Sequence, residues 1–258
     1  MRNMKYLIVC AGDKSKFKVA FNILKFLIKK HKNRSNIFVC VVDADKKICK
    51  LLKKTKIKYI SNNIKKFLSG VEKNHYDWLL NIWGPIIYKP EILQKFNKNL
   101  NLHPSFLPYA KGKDPYVWTV VNNFPIGVTI HEMSEKIDSG KYFLRKKINL
   151  KFPYTGGNVF DLTLKNCVNE FKKNWEKIRT GKLKKRNFPK IKTKTFKRVN
   201  LIKENLLDLD KPKNYELKNF VLKILSLDFK FNKLQVKLNK KIYDTSINLI
   251  KNKKKKWN

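Results

Sequence analysis

Arginine is scarce in this chain. Only Arg2, Arg34, Arg145, Arg179, Arg186 and Arg198 stand among 60 basic residues, leaving lysine the other 54. Acidic residues number 19, so the formal net charge is +41. Such a charge first suggests nucleic acid, but nucleic-acid readers favour arginine, whose planar fork pairs bidentately with phosphate and guanine. Here lysine is spread along the whole chain and accompanied by abundant asparagine and isoleucine. That pattern reads as compositional drift, and nucleic acid is not the expected partner. A weaker consequence stands: acidic, phosphate-bearing small substrates are drawn to such a surface.

Cysteine is also sparse. Cys10, Cys40, Cys49 and Cys167 form no C-x-x-C, and no histidine lies at metal-ligand spacing from them. No metal site is expected. Three of the four sit in or beside apolar runs, which predicts buried free thiols in a reducing compartment. Long hydrophobic runs are missing too. "KYLIVCA" is ended by charge too soon for a signal peptide or a membrane span, so a cytoplasmic protein is expected. Histidine occurs four times, at His31, His75, His103 and His131.

What remains is ample for a core: 42% of residues are hydrophobic and 12% aromatic. In the first half, short apolar runs alternate with helical spacing. "KYLIVCA", "NIFVCVVDA", "IKYIS", "DWLLNIW" and "NLNLH" read as strands, with helical patterns between them such as Phe17, Ala20, Phe21, Leu24, Leu27 and Ile28. "PYVWTVV" reads as a short helix, and "IGVTIHEM" and "KYFLRKKINL" as further strands. A long helix follows, with Phe160, Leu164, Val168, Phe171, Trp175 and Ile178 as its apolar stripe. Thr155 or Asn158 is its N-cap and Gly181 its stop.

The predicted fold class is α/β: a Rossmann-like, mostly parallel sheet flanked by helices, with a small C-terminal α+β appendage. Residues 1–181 form the predicted catalytic domain and 182–197 a basic linker. Residues 198–250 form a small helix and hairpin region turning around Asn239–Lys241, and 251–258 a disordered tail. No internal repeat is found.

In such sheets ligands gather outside the carboxyl ends of the strands. "NLHPSFLP", Asn101 to Pro108, lies at one of those ends. Residues two apart on a strand point to one side, so Asn101 and His103 project together. Pro104 disfavours the helical region for His103 and keeps it extended. An amide donor and a protonated imidazole aimed at one point suit the stabilisation of an oxyanion. A carboxylate nearby keeps the imidazole charged and relays a proton, and Asp138 is the candidate. His131 and Thr129 lie inside the preceding strand, where each either supports Asp138 or packs.

"NLHPSFLPYAKG", "PYVWTVV" and "GVTIHEMSEKIDSG" together resemble the signature of the folate-dependent formyltransferases, collinear over Asn101–Gly140. The resemblance implies transfer of a formyl group from N10-formyltetrahydrofolate, the co-substrate, to an amine. It places Asn101, His103 and Asp138 on the family's catalytic asparagine, histidine and aspartate. It implies that "NIWGPIIY" (Asn81–Tyr88) and the loop Met133–Asp138 line the folate pocket, with Ile82, Trp83, Gly84, Met133, Ser134 and Ile137 as the contacts.

The departures help choose the amine. "CAGDKSKFK" after the first strand has one glycine, a poor cradle for the ribose phosphate of the phosphoribosylglycinamide enzymes. The methionyl-tRNA enzymes carry a longer C-terminal barrel than residues 198–250 supply; they stay as the alternative reading, followed by the phosphoribosylglycinamide enzymes. The amino-sugar nucleotide N-formyltransferases, which serve surface polysaccharide and lipopolysaccharide synthesis, are the nearest resemblance, covering most of residues 77–250. Ser105, Tyr109, Lys111, Lys113 and Trp118 are then the expected substrate contacts, aromatics stacking and lysines meeting pyrophosphate. Ala110-Lys111 departs from the Asn-Arg pair of many sugar enzymes. By the same resemblance, a homodimer would form through the C-terminal region.

Overall fold

A computed structural model of the protein describes residues 4–12, 18–31, 33–199, 201, 206–208, 216–228 and 233–246. The expectations for the tail, for most of the loop after the first strand and for much of residues 200–210 lie outside the described residues.

Strands β1 (Tyr6–Ala11), β2 (Ile37–Val42), β3 (Lys58–Ile60), β4 (Trp78–Ile82), β5 (Lys98–His103), β7 (Gly127–His131) and β8 (Tyr142–Lys147) make one seven-stranded sheet. Its order is β3-β2-β1-β4-β5-β7-β8. The first five strands run parallel, joined by α1 (Val19–Lys30), α2 (Lys46–Lys54), α3 (Ile64–Gly70) and the single turn α4 (Pro90–Leu93). β7 and β8 then run antiparallel. The mostly parallel α/β sheet predicted from the alternation is therefore present. β1 is buried at every position, as a central strand covered on both faces must be.

α6 (Gly156–Arg179) lays its stripe on one face of the sheet. Leu164, Phe171, Trp175 and Ile178 are essentially inaccessible, and Trp175 meets Trp78 of β4 with ring centroids 5.5 Å apart. The two candidate caps of this helix act together. Thr155 Oγ1 accepts from the Asn158 amide, and Asn158 Oδ1 accepts from the Thr155 amide, a reciprocal capping box. The other face of the sheet is covered by Leu68, Val71, Tyr76, Tyr88 and Phe96.

A second core joins the sheet domain to the C-terminal part. α5 (Pro115–Val121) packs on α7 (Leu217–Leu227), burying Tyr116, Val117 and Val120 with Leu225, Leu227 and Leu234. β11 (Gln235–Leu238) and β12 (Lys241–Asp244) form the predicted hairpin, with β10 (Leu206–Asp208) parallel to β11. Its two turn residues, Asn239 and Lys240, have φ of 51° and 62°, the left-handed pair that matches the twist of a two-residue hairpin.

Residues 182–197, expected as a linker, are docked on the sheet domain. β9 (Thr195–Phe196) pairs with β6 (Lys111–Gly112), and Arg186 bridges Tyr142 through both backbone groups. Phe188 adds an aromatic face to Arg145, whose guanidinium lies 4.0 Å from the Phe106 ring centre. Backbone pairing and a few aromatic contacts hold this segment. Neither leaves the periodic hydrophobic trace by which a sequence announces an element.

Candidate active site

The register across three strands builds the site. Asn101 of β5 lies opposite Asn81 of β4 on one side and His131 of β7 on the other. Cross-strand neighbours point to one face, so three polar side chains stand in a row at the carboxyl end of the parallel strands. His103, two residues on, faces the same side. Asp138 closes the row from the loop after β7.

The carboxylate is the hub. Its Oδ2 accepts from the Gly112 amide at 2.8 Å and lies 3.5 Å from His103 Nδ1. Its Oδ1 lies 3.5 Å from both His131 Nε2 and Asn101 Nδ2. Burial alone would raise its pKa, but the two imidazoles and the Gly112 amide outweigh burial and hold the carboxyl well below its usual range. Asp138 is therefore ionised at neutral pH.

Each imidazole has its other nitrogen on a backbone carbonyl. His131 Nδ1 lies 2.8 Å from the Glu132 oxygen, and His103 Nε2 lies 3.1 Å from the Ala110 oxygen. A carbonyl only accepts, so those nitrogens carry the protons. This leaves His131 Nε2 free to accept from Asn101 Nδ2 at 3.2 Å. Burial pushes the His103 pKa down, and Asp138 offsets that only in part. Both ring nitrogens of His103 nevertheless face acceptors, the Ala110 carbonyl and the Asp138 carboxylate, so these contacts favour the charged ring that burial opposes.

Three residues in the segments around the site have left-handed backbone. Trp83, Ala110 and Asp138 all have positive φ, at 67°, 50° and 49°. Non-glycine residues in that region cost on the order of 1–3 kcal/mol each and persist where surrounding contacts over-determine them.

A cleft of about 80 Å³ opens beside the row. Asn81, Asn101, His131 and Asp138 form its polar end, and Ile86, Ile87, Met133 and Ile137 its apolar walls. Ile87 is 73% exposed and Ile137 40%, which is costly for large aliphatic side chains unless something covers them. Of the expected cofactor contacts, Met133, Ser134 and Ile137 line this cleft. Ile82 is wholly buried in the sheet, Trp83 packs against the core, and Gly84 lies under the Asn81 side chain. Ile86, Ile87, Tyr88 and Glu135 line the cleft as well, within the segments Asn81–Tyr88 and Met133–Asp138. A lone asparagine in the apolar run "DWLLNIW" is the signal that would have singled out Asn81.

The expected substrate contacts divide. Lys111 Nζ reaches Ser139 Oγ at 3.2 Å, at the edge of the site, and Lys113 is exposed. Tyr109 is half-buried against Phe124. Trp118 is 6% exposed and stacked on Phe196 at 4.4 Å, so one ring face is taken and little of the rest is accessible. Ser105 is buried and donates to the Tyr109 carbonyl. Thr129 does not touch Asp138; it donates to the Ser105 carbonyl and accepts from the Leu107 amide, fastening the "HPSFLP" loop.

Comparison with known proteins agrees with this geometry. Residues 78–168 match the formyl transferase family. That stretch runs from β4 into α6 and contains Asn81, Asn101, His103, His131 and Asp138. A curated relative, the dTDP-4-amino-4,6-dideoxyglucose formyltransferase of Mycobacterium tuberculosis, is 31% identical over 61 residues, covering 24% of this chain and 26% of the relative. The aligned stretch thus spans about a quarter of that relative's length. Among solved structures, a 4-N formyltransferase from Francisella tularensis superposes with a TM-score of 0.75 at 20% identity, covering 96% of this chain and 99% of its own. A sugar N-formyltransferase from a Shewanella species gives 0.77 at 16% identity, covering 96% and 100%. At these identities the solved structures establish the shared fold.

Proposed function

We propose that the protein transfers a formyl group from N10-formyltetrahydrofolate to the amine of a nucleotide-linked deoxyamino sugar. The observation that carries this is the row Asn81–Asn101–His131 with Asp138 at the polar end of a cleft whose far walls are apolar, and with buried His103 behind Asp138 at 3.5 Å. Exposed isoleucines suit the ring system of a folate, and the polar end suits an acyl centre. The solved sugar N-formyltransferase from the Shewanella species matches over its whole length, which supports the sugar acceptor. A methionyl-tRNA formyltransferase from Clostridium thermocellum superposes less well, at a TM-score of 0.60.

In this reading Asn101 Nδ2 donates to the formyl oxygen as it gains charge. His103 Nε2–H leaves the Ala110 carbonyl for the same oxygen. Ionised Asp138 takes the proton from the attacking amine and returns it to the departing nitrogen, so no net charge accumulates. Lys111, Lys113 and Tyr109 rim the acceptor side, where they would meet the pyrophosphate and sugar. Residues 1–181 make the catalytic domain, and the C-terminal part pairs two copies through the hairpin, where Leu238, Ile242 and Tyr243 are exposed. Light scattering that finds only monomer would remove the pairing.

The test is a formyl-transfer assay across nucleotide-linked amino sugars, with methionyl-tRNA and glycinamide ribonucleotide included. Turnover on at least one sugar nucleotide is expected. Turnover on tRNA alone would replace the sugar with the tRNA acceptor.

A further inference from the structure

A carboxamide presents a donor and an acceptor of nearly the same shape, so only its neighbours decide which end faces where. For Asn101 that choice is decisive, since the site needs the amino end turned toward the acyl oxygen.

We propose that Asn81 is a positioning residue that fixes the polarity of the Asn101 side chain, an inference that rests on the formyl-transfer reading above. The Gly84 backbone carbonyl, which can only accept, carries no such ambiguity. Asn81 Nδ2 lies 3.1 Å from it, so that end of Asn81 must be the amino group. The second hydrogen of the same amino group goes to Asn101 Oδ1 at 3.0 Å. The end of Asn101 facing Asn81 is therefore its oxygen, and its amino group is turned into the site. There it meets His131 Nε2 and Asp138 Oδ1, both acceptors.

Both ends agree. A flipped Asn101 would set amino group against amino group on the Asn81 side and oxygen against carboxylate on the other. Tyr88 completes the chain by donating its hydroxyl to Asn81 Oδ1 at 2.9 Å. All four elements are buried or half-buried, where a mismatched polar contact costs most. Glycine at 84 is part of the arrangement: a Cβ there would lie 2.5 Å from Asn81 Oδ1 and push the amide off its carbonyl anchor.

Asn81→Asp keeps the shape and replaces the donating end with an acceptor. Asn101 would then turn its amino group to residue 81 and its oxygen to the site. A fall in kcat of about 10²-fold is expected, close to the loss of an oxyanion donor. Because Asn81 acts through Asn101, Asn81→Asp added to Asn101→Ala lowers the residual single-turnover rate by no more than about threefold. Multiplicative losses would assign Asn81 a merely structural role and overturn the proposal. Tyr88→Phe, which keeps the packing, serves should Asn81→Asp not fold; a fall of about 3–10-fold is expected, absent when Asn101 is alanine.

A readout independent of turnover is the Asn101 side-chain amide signal in a proton–nitrogen NMR spectrum, identified by its loss in Asn101→Ala. It shifts in Tyr88→Phe, although Tyr88 reaches Asn101 only through Asn81. An unmoved signal overturns the proposal whatever the activity. A wild type inactive on every acceptor, with the signal still coupled, retires the formyl-transfer reading and leaves the polarity chain standing.

Discussion

At the scale of single residues, the site is a set of polar groups held where water is largely excluded, and each is expected to carry weight. His103→Ala and Asp138→Ala should each lower kcat by about 10²–10³-fold while retaining a cooperative melt; near-normal turnover in either would remove it from the mechanism. A residue far from the site gives a cleaner titration. His31 Nε2 accepts from Trp175 Nε1–H at 3.0 Å, and burial, with the Arg179 charge second, lowers its pKa to about 4. The unfolded chain, with a histidine near 6.5, binds the proton first as pH falls. Stability is therefore complete above about pH 6.5 and is lost down to about pH 4. The melting temperature of the wild type should fall more steeply from pH 7 to 4.5 than that of His31→Gln, whose carbonyl still accepts from the indole; parallel curves would refute it. Asn101, His103 and Asp138 were legible because spacing and a collinear motif marked them. The tryptophan partner of His31 was not, because 144 residues separate them and only the packing of α6 on the sheet joins them. Trp118 misled for a related reason: nothing in "PYVW" shows that Phe196 will cover its ring.

At the scale of elements, the strands and the long helix could be read because burial on a sheet face or helix stripe leaves a period in the sequence. What could not be read is register and docking. No local pattern states that Asn81, Asn101 and His131 will lie side by side, although that alignment makes the site. Nor does the basic run 182–197 announce that it will add a strand to β6. The attachment of the C-terminal part depends on one close approach. The first residue of α6, Gly156, faces the end of α7, and a Cβ there would stand 2.0 Å from the Ser226 carbonyl oxygen. The neighbouring Gly157 amide donates to the Asp228 carbonyl at 3.2 Å. Gly156→Ala must push the two helices apart and loosen the core formed by Val117, Val159, Leu225 and Leu227. A loss of about 1–3 kcal/mol is expected in denaturant unfolding. The seven-stranded sheet is built without this contact, so the added proteolytic sensitivity should fall in residues 198–246. An unchanged midpoint would mean that α7 accommodates the methyl by sliding.

At the scale of the whole molecule, the dominant quantity is a formal charge of +41 on 258 residues. Described ion pairs such as Lys146–Glu170 and Lys185–Glu132 use up acidic groups that are few to begin with. Most lysines are thus left facing one another across solvent, and self-repulsion opposes the compact state. The unfolded chain spreads the same charges further apart, so screening favours the fold. The Debye length shrinks from about 30 Å at 0.01 M salt to about 8 Å at 0.15 M, below the distance between most lysine heads on opposite sides of the domain. Raising sodium chloride over that range should therefore raise the melting temperature, by about 2–4 °C for each kcal/mol recovered. A protein with balanced charge would show little change, and a fall would mean that specific ion pairs outweigh repulsion. The same field bears on the acceptor. At low salt the surface should hold tRNA without regard to sequence, and that binding should weaken steeply toward 0.2 M as released counterions lose their advantage. Formyl transfer to a sugar nucleotide bears only the few charges of a pyrophosphate and should weaken far less. Measured side by side, the two salt slopes separate an electrostatic surface from a recognised substrate, and a steep slope for the formylated acceptor would move the assignment toward nucleic acid.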